Sequence, residues 1–379
     1  MKIVINALSA LRGGGQTYLI NLLNEFILLN FDCELIIITN KKNTHIFDKY
    51  KSNNITILES SFASKNIIFR VLWECMYLPF LLKVKKINSY FSPGGIMVTL
   101  TPKACKSYTA LRNMLPFDER ERSRFPLFSY VRFKLWLLKH VFLLSYKMAD
   151  KVIFISQYSL TEVCKYLPEI EKKAQIIYHG INEDFLKTQD STEYLQFNLV
   201  RKEYYLYVSI LDVYKAQKEV VESWVEMNSK GNEIPLVLVG PKYNNYGEEV
   251  VDLIASSKAD NINYIGAVDY NNLPSLYQNA RGFIFASSCE CCPNILLEKL
   301  ASGRPVISSD IMPMPEFGQD SVVYFNPYED GSLEKAVNYL EKENNLDKYS
   351  KLSSIRAKSF SWKKTTINTF KFLLNQKID

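Results

Sequence analysis

Residues Ser287–Val306 read SSCECCPNILLEKLASGRPV, and the elements around them set the fold. Immediately upstream, GFIFASS (282–288) is apolar on both faces, as a strand buried inside a parallel sheet must be. Pro293 suits the first turn of a helix, where a missing N–H costs nothing. NILLEKLA continues that helix, and Gly303 is placed to end it. PVISSD (305–310) then opens another buried run. Strand, turn, helix and strand make one crossover unit of an α/β sheet. Glu290 falls in the turn and Glu298 inside the helix.

Three cysteines crowd that turn. Cys289, Cys291 and Cys292 are spaced C-x-C-C, not as the paired C-x-x-C groups of structural zinc sites or redox pairs. The three histidines, His45, His140 and His179, are all distant in sequence. The thiols read as small hydrophobes where a backbone must come close to something. The helix start offers free N–H groups and a positive dipole end. There, a carboxylate in the turn can accept hydrogen bonds from sugar hydroxyls, and one just over a turn later can reach a ribose diol. An ordinary turn acid and an exposed helix residue would leave the same pattern.

The alternation extends along the chain. KIVINAL (2–8), a helical run from Gly15 to Asn30 and CELIIIT (33–39) come first. KVIFIS (151–156), AQIIYHG (174–180), YYLYVSI (204–210), PLVLVG (235–240) and INYIG (262–266) follow. At Tyr204–Trp224 the pattern restarts with a new first strand and first helix, after a polar, irregular stretch from Asn182 to Arg201. A chain of 379 residues is also long for one domain. The expectation is two Rossmann-like α/β domains, spanning 1–182 and 200–358, with ligands at an interdomain cleft beyond the strand C-termini.

No apolar run reaches the ~18 residues of a membrane span. The N-terminus reads as a first strand rather than a signal peptide. Seven cysteines, mostly isolated in apolar surroundings, do not form a secreted disulfide framework, which favours a reducing cytoplasm. The segment 103–151 carries eleven Lys/Arg against four Asp/Glu, a larger surplus than the net +6 of the whole chain. Its cations (Arg120, Arg122, Arg124, Arg132, Lys139) are interleaved with Phe125, Phe128, Phe133 and Trp136. That mix suits peripheral contact with the anionic inner face of a membrane, or equally a buried helix with a solvated basic side. No nucleic-acid motif accompanies the charge.

The stretch E-C-C-P-N-I-L-L-E followed by K-L-A-S-G-R-P-V-I resembles the E-x7-E motif of the retaining glycosyltransferases of family 4, which have the GT-B fold. The usual family form is E-G-F-P-N-x-x-L-E-A-M-A-x-G-x-P-V. Here Cys291 and Cys292 replace Gly and Phe, while Pro293, Asn294, Glu298, Gly303 and Pro305 match. LRGGGQTYLINLL (11–23) resembles the family's glycine-rich first loop and helix. VIFISQYS, AQIIYHGIN and MPMPEFGQDSVVYFNP resemble further family segments, and INYIGAVDYNNLPSLYQNARGFIFASS resembles the one that holds the nucleotide base. FSWKKTTINTFKFLL resembles the last helix, which in the family crosses back to the N-terminal domain; this gives 359–379 as a third segment.

The resemblance implies a GT-B enzyme that moves a sugar from a UDP or GDP donor to a glycan or lipid-linked glycan, with retention, in cell-surface polysaccharide synthesis. It implies catalytic roles for Glu290 and Lys215. Donor contacts fall to Glu298, Cys291, Cys292, Pro293, Asn294, Gly266, Ala267, Ser209, Gly14 and Gly15, and acceptor-side contacts to Arg112 and Asn113. No metal or other cofactor is expected, because no Asp-x-Asp element sits on a loop where it would hold a diphosphate.

Two departures stand out. VSILDVYK places Ile210 where the family commonly has an arginine for the diphosphate, although Lys215 matches its lysine; Lys218 or Arg112 are the candidates to compensate. TALRNMLPFDERERSRF has no histidine where many relatives carry a His-Asp pair. A hydride-transferring Rossmann enzyme fits poorly, since Tyr18 replaces the third glycine of G-x-G-x-x-G and the second strand ends in Asn40 and Lys41. A phosphate-loop NTPase lacks its G-K-S/T. A non-catalytic sugar-nucleotide binder and a GT-B epimerase stay open.

Overall fold

The computed structural model describes residues 1–11, 13–186 and 193–378. It divides the chain into two compact units. The first comprises Met1–Gly180 with Ser361–Asp379, and the second Ile181–Phe360. Of the irregular stretch 182–201, residues 187–192 lie outside the described residues; short 3-10 turns occupy Glu183–Phe185 and Glu193–Phe197.

The first unit holds seven parallel strands: β1 (Lys2–Asn6), β2 (Glu34–Thr39), β3 (Ile55–Glu59), β4 (Ser89–Ser92), β5 (Lys106–Leu111), β6 (Lys151–Phe154) and β7 (Ala174–Ile176). Their order is β3-β2-β1-β4-β5-β6-β7, so the winding reverses between β1 and β4. The helix Gly14–Leu29 buries Tyr18, Leu19, Leu22, Leu23 and Phe26, one stripe at three- and four-residue spacing. Asn30 stops it in the left-handed conformation at φ 49°. Its partner is the C-terminal helix Trp362–Leu373, where Phe26 meets Phe370 at 4.8 Å between ring centres. The chain end therefore belongs to the first unit. Gly180 makes that docking possible, because a Cβ there would lie 2.1 Å from the Trp362 backbone nitrogen.

The second unit holds six parallel strands: β8 (Tyr205–Val208), β9 (Leu236–Val239), β10 (Ile262–Tyr264), β11 (Gly282–Phe285), β12 (Val306–Ser309) and β13 (Val323–Phe325). Their order is β10-β9-β8-β11-β12-β13, with the reversal between β8 and β11. All residues of β8, β9, β11 and β12 are buried, which accounts for the continuous apolar runs of β8, β9 and β11. Both units are thus Rossmann-like α/β layers, as the alternation predicts. Loops following neighbouring strands at a reversal diverge to opposite faces and leave a crevice, the usual ligand position in such sheets.

Candidate functional site

The loops after β8 and β11 meet at the second unit's reversal. After β8 the chain makes a 3-10 turn, Val213–Lys215, whose start is capped by the Asp212 carboxylate accepting from the Val213 N–H at 2.8 Å. Ala216 then takes a left-handed φ of 52°. The Lys215 carbonyl accepts from the Tyr207 hydroxyl, which ties the turn to the strand below. From the other loop, Ser288 donates its backbone N–H to the Tyr214 carbonyl at 2.8 Å and its hydroxyl to the same oxygen at 3.1 Å.

Across this seam Lys215 Nζ forms a direct ion pair with Glu290 Oε1. Ser287 Oγ donates to the same carboxylate oxygen at 2.8 Å. The pair is largely enclosed: the Lys215 side chain is 6% exposed and that of Glu290 16%. Two residues that the sequence marks separately, 75 positions apart, are one charged unit.

The helix Asn294–Ala301 follows, with Pro293 at its N-cap and no side-chain cap, so its first N–H groups are not claimed by a capping side chain. Glu298 sits on this helix. The residue is half-buried, with its carboxyl bonded by the Tyr270 hydroxyl and within electrostatic reach of Tyr277 and Lys299. Burial pushes that carboxyl up to about 7, against the pull of the Tyr270 hydroxyl and the Lys299 charge. Lys299 is itself wholly buried, donating to the Ile284 carbonyl at 2.7 Å among the rings of Tyr207, Phe283 and Phe285. Burial lowers its ammonium well below the ordinary lysine range.

Gly240 and Gly266 line the same strand ends. Gly240 has φ 145°, and a Cβ there would fall 1.8 Å from the Ser209 carbonyl oxygen. Its N–H donates to the Gly266 carbonyl at 2.8 Å. Gly266 at φ 76° has nothing within 4 Å on its Cβ side, and Ala267 is exposed. The Ser209 hydroxyl is buried and has no protein partner among the described residues. The second unit therefore brings Lys215, Glu290, Asn294 and Glu298 to one reversal, with Ser209, Gly266 and Ala267 at the adjoining strand ends. Cys289, Cys291 and Cys292 are buried in the turn, and the described residues contain no metal-binding arrangement of His, Cys, Asp and Glu side chains.

Gly14, Gly15, Arg112 and Asn113 belong to the first unit. Gly13, Gly14 and Gly15 have open space on their Cβ side, leaving the helix start approachable. The Arg112 guanidinium stacks 3.3 Å from the centre of the Tyr18 ring, one turn into that helix, and Asn113 is exposed. Tyr18 in turn leans on His179 and Trp362.

In the basic segment most of the named cations have local acidic partners. Arg120 pairs with Asp118 and Glu121, Arg122 with Glu119, and Arg124 with Glu121. Lys139 is buried over the Tyr166 ring at 3.3 Å. Three of the segment's four acids, Asp118, Glu119 and Glu121, are locally placed and partner four of the five cations named for lipid contact, Arg120, Arg122, Arg124 and Lys139. Beside exposed cations such as Arg120, Arg124 and Lys134, the segment exposes the apolar Leu127, Phe128, Tyr130, Phe133 and Trp136, with Phe128 fully exposed. A hollow of about 260 Å³ opens among Arg122, Leu127, Arg132, Phe133 and Trp136. No described helix is long and apolar enough to cross a membrane.

Tyr270, Ser287, Tyr214 and Lys299 had no role in the sequence reading. Tyr270 could have been noticed as a phenol in the segment that turns toward the helix of Glu298; the others become visible only through contacts across the reversal.

Fold and site define a class, the GT-B architecture of two parallel-sheet Rossmann-like units. Structures of that class match it across nearly the whole chain, among them Anabaena HepE in complex with UDP and glucose, with a TM-score of 0.72 and 15% identity, covering 99% of this chain and 100% of that one. Residues 192–356 match the model of the family described as glycosyl transferases group 1. The chain is 25% identical over 188 residues to the O-antigen chain mannosyltransferase B of Escherichia coli, 47% of this chain and 48% of that protein. It therefore spans about half the length of that relative, and likewise of a Salmonella typhimurium O-antigen mannosyltransferase. Over 96% of its length it is 24% identical to the N-acetylgalactosamine-N,N'-diacetylbacillosaminyl-diphospho-undecaprenol 4-alpha-N-acetylgalactosaminyltransferase of Campylobacter jejuni, covering 97% of that protein. These findings show the GT-B fold and a likeness, over residues 192–356, to the glycosyl transferases of group 1.

Proposed function

We propose that the protein transfers a sugar from a UDP or GDP donor to a glycan or lipid-linked glycan of a cell-surface polysaccharide, with retention of configuration, as a member of glycosyltransferase family 4. The observation that carries this reading is the Lys215–Glu290 pair at the β8/β11 reversal, followed one helix on by Glu298. Lys215 and the start of the helix Asn294–Ala301 supply positive charge for a donor diphosphate. Glu290 and Glu298 supply acceptors for sugar and ribose hydroxyls. Gly266, Ala267 and Ser209 take the base side, and Cys291, Cys292 and Pro293 shape the turn. Gly14 and Gly15 admit the donor from the first unit, and Arg112 and Asn113 take the acceptor side.

In this scheme the chain's own work is positioning and charge stabilisation, without a metal. Glu290 balances Lys215, so an arriving diphosphate competes with Glu290 for the same ammonium. Winning that contest frees the carboxylate for a sugar hydroxyl. The apolar face at 127–136 supports reversible contact with the cytoplasmic side of a membrane through ring insertion, with exposed Lys134 adding charge attraction. The relatives named for lipid-linked and O-antigen substrates point to such an acceptor.

The test is calorimetry with UDP- and GDP-sugars. Binding confined to one base class and weakened in Glu298→Gln is expected. Failure of every sugar nucleotide to bind would overturn the reading.

A further inference from the structure

A short relay of hydrogen bonds ends on Glu298. Tyr270 sits in the 3-10 turn Tyr270–Asn272 and donates its hydroxyl to Glu298 Oε1 at 3.1 Å. Its phenol oxygen is bonded in turn by the Asn182 side chain. Asn182 is fixed by its other end, since its Oδ1 accepts from the Asp184 N–H at 3.1 Å. Phe185 braces the assembly, 5.7 Å from the Tyr270 ring and 5.1 Å from that of Tyr277. Every member lies in the second unit, and Asn182 is its second residue.

We propose that Tyr270 is a positioning residue for the donor: its hydroxyl holds one oxygen of Glu298, supports that carboxylate as an acceptor, and leaves the second oxygen for a ribose hydroxyl. The inference rests on the donor-binding reading of Glu298. A carboxylate is an acceptor through both oxygens only while ionised; once protonated it gives up part of that capacity. Several groups face it. Lys299 on its own helix and Tyr270 from the preceding segment favour the charge, and burial opposes it. Burial and the Glu298 charge raise both the Tyr270 and the Tyr277 phenols, so both keep their protons, and Asp184 acts on Tyr270 in the same direction. On the neighbouring helix Asn345–Ala357, Arg356 is spent on the carbonyls of Glu316 and Phe317. Tyr270 is thus the one hydroxyl bonded to the Glu298 carboxylate among these groups, and it is a fixed donor.

The sign follows from the relay. Glu298 carries a carboxyl raised to about 7, so donor affinity should fall as pH drops through neutrality. Removing the Tyr270 hydroxyl raises that carboxyl further and moves the fall to higher pH. The experiment is calorimetric titration of the intact protein with UDP and with GDP from pH 5.5 to 9, for wild type, Tyr270→Phe and Glu298→Gln. The nucleotide's own phosphate ionisation is common to all three and cancels in the comparison. Tyr270→Phe keeps the ring against Phe185. It should bind about tenfold more weakly at pH 7, converge on wild type at high pH, and show its midpoint displaced upward. Glu298→Gln should bind weakly with no midpoint of this origin. A wild-type midpoint in Tyr270→Phe would overturn the positioning role while leaving Glu298's role intact. Wild-type affinity and pH dependence in Glu298→Gln, or no nucleotide binding by the wild type, would overturn the donor reading and this inference with it.

Discussion

The Lys215–Glu290 pair makes a prediction that separates a charged unit from two independent residues. Lys215→Met and Glu290→Gln each remove one partner and leave the other charge enclosed. The attraction between two unit charges about 4 Å apart is ~4 kcal/mol at the effective dielectric of a protein surface. Stranding one member of a buried pair costs about 3–5 kcal/mol. Both side chains keep a little exposure, and Ser287 still bonds the carboxylate, so the lower end applies here. The double variant carries neither stranded charge. It should therefore lose well under the sum of the singles, with a coupling of about 2 kcal/mol. Urea unfolding of the four proteins, followed by tryptophan fluorescence, reads this directly. The competition described above adds a second readout: Glu290→Gln should bind UDP or GDP more tightly while Lys215→Met binds more weakly. Stability losses that add to within ~0.5 kcal/mol would refute the coupling, and equal weakening of nucleotide binding by both singles would refute the competition.

Other consequences can be checked independently. Glu298 has a carboxyl raised from 4.5 to about 7, so its contribution to stability is complete below the unfolded value and is lost as pH rises through 7. Glu298→Gln should therefore match wild type near pH 5 and exceed it by about 1–3 kcal/mol at pH 8, discounted for its partial exposure; a pH-independent difference would contradict the shift. Gly180→Ala should cost more than ~2 kcal/mol and loosen the C-terminal helix, since its Cβ would collide with the Trp362 backbone; wild-type thermal stability would show that the helix docks differently. If the exposed rings govern membrane contact, Phe128→Ser with Trp136→Ser should reduce vesicle co-sedimentation more than Arg120→Ala with Arg124→Ala, whose charges are already paired. The reverse order would restore the electrostatic account.

Several strands that sequence alone displays, such as β2, β8, β9 and β11, consist almost wholly of buried apolar residues. β4 and β5 were not legible. Their sequences, SYFS and KSYTAL, place hydroxyls inside the sheet. The structure satisfies those groups locally: Ser89 Oγ donates to the Leu373 carbonyl at 2.6 Å, Thr109 to the Ser92 carbonyl at 2.9 Å, and Ser107 to Asp150. Buried polar groups with partners look like surface in a hydropathy pattern. The motif at 290–298 was readable because strand, proline, helix and glycine follow one another along the chain. Its lysine partner was matched only by resemblance, and the contact between them depends on two loops converging at a sheet reversal. Tyr270 escaped for the same reason, since its hydroxyl meets Glu298 across 28 residues. In the basic segment the net charge was legible, but which cations sit beside Asp118, Glu119 and Glu121 was not.

Acceptor-dependent transfer is the most direct test of the central claim. The protein would be incubated with labelled UDP- and GDP-sugars, with and without a polyprenyl-diphosphate-linked saccharide, and both the lipid product and the released nucleoside diphosphate measured. The account predicts labelled lipid-linked product and nucleoside diphosphate in equal amounts, dependent on acceptor and lost in Glu290→Ala. Conversion of the sugar nucleotide to an isomer without any acceptor, or tight nucleotide binding with no transfer to any glycan acceptor, would contradict it.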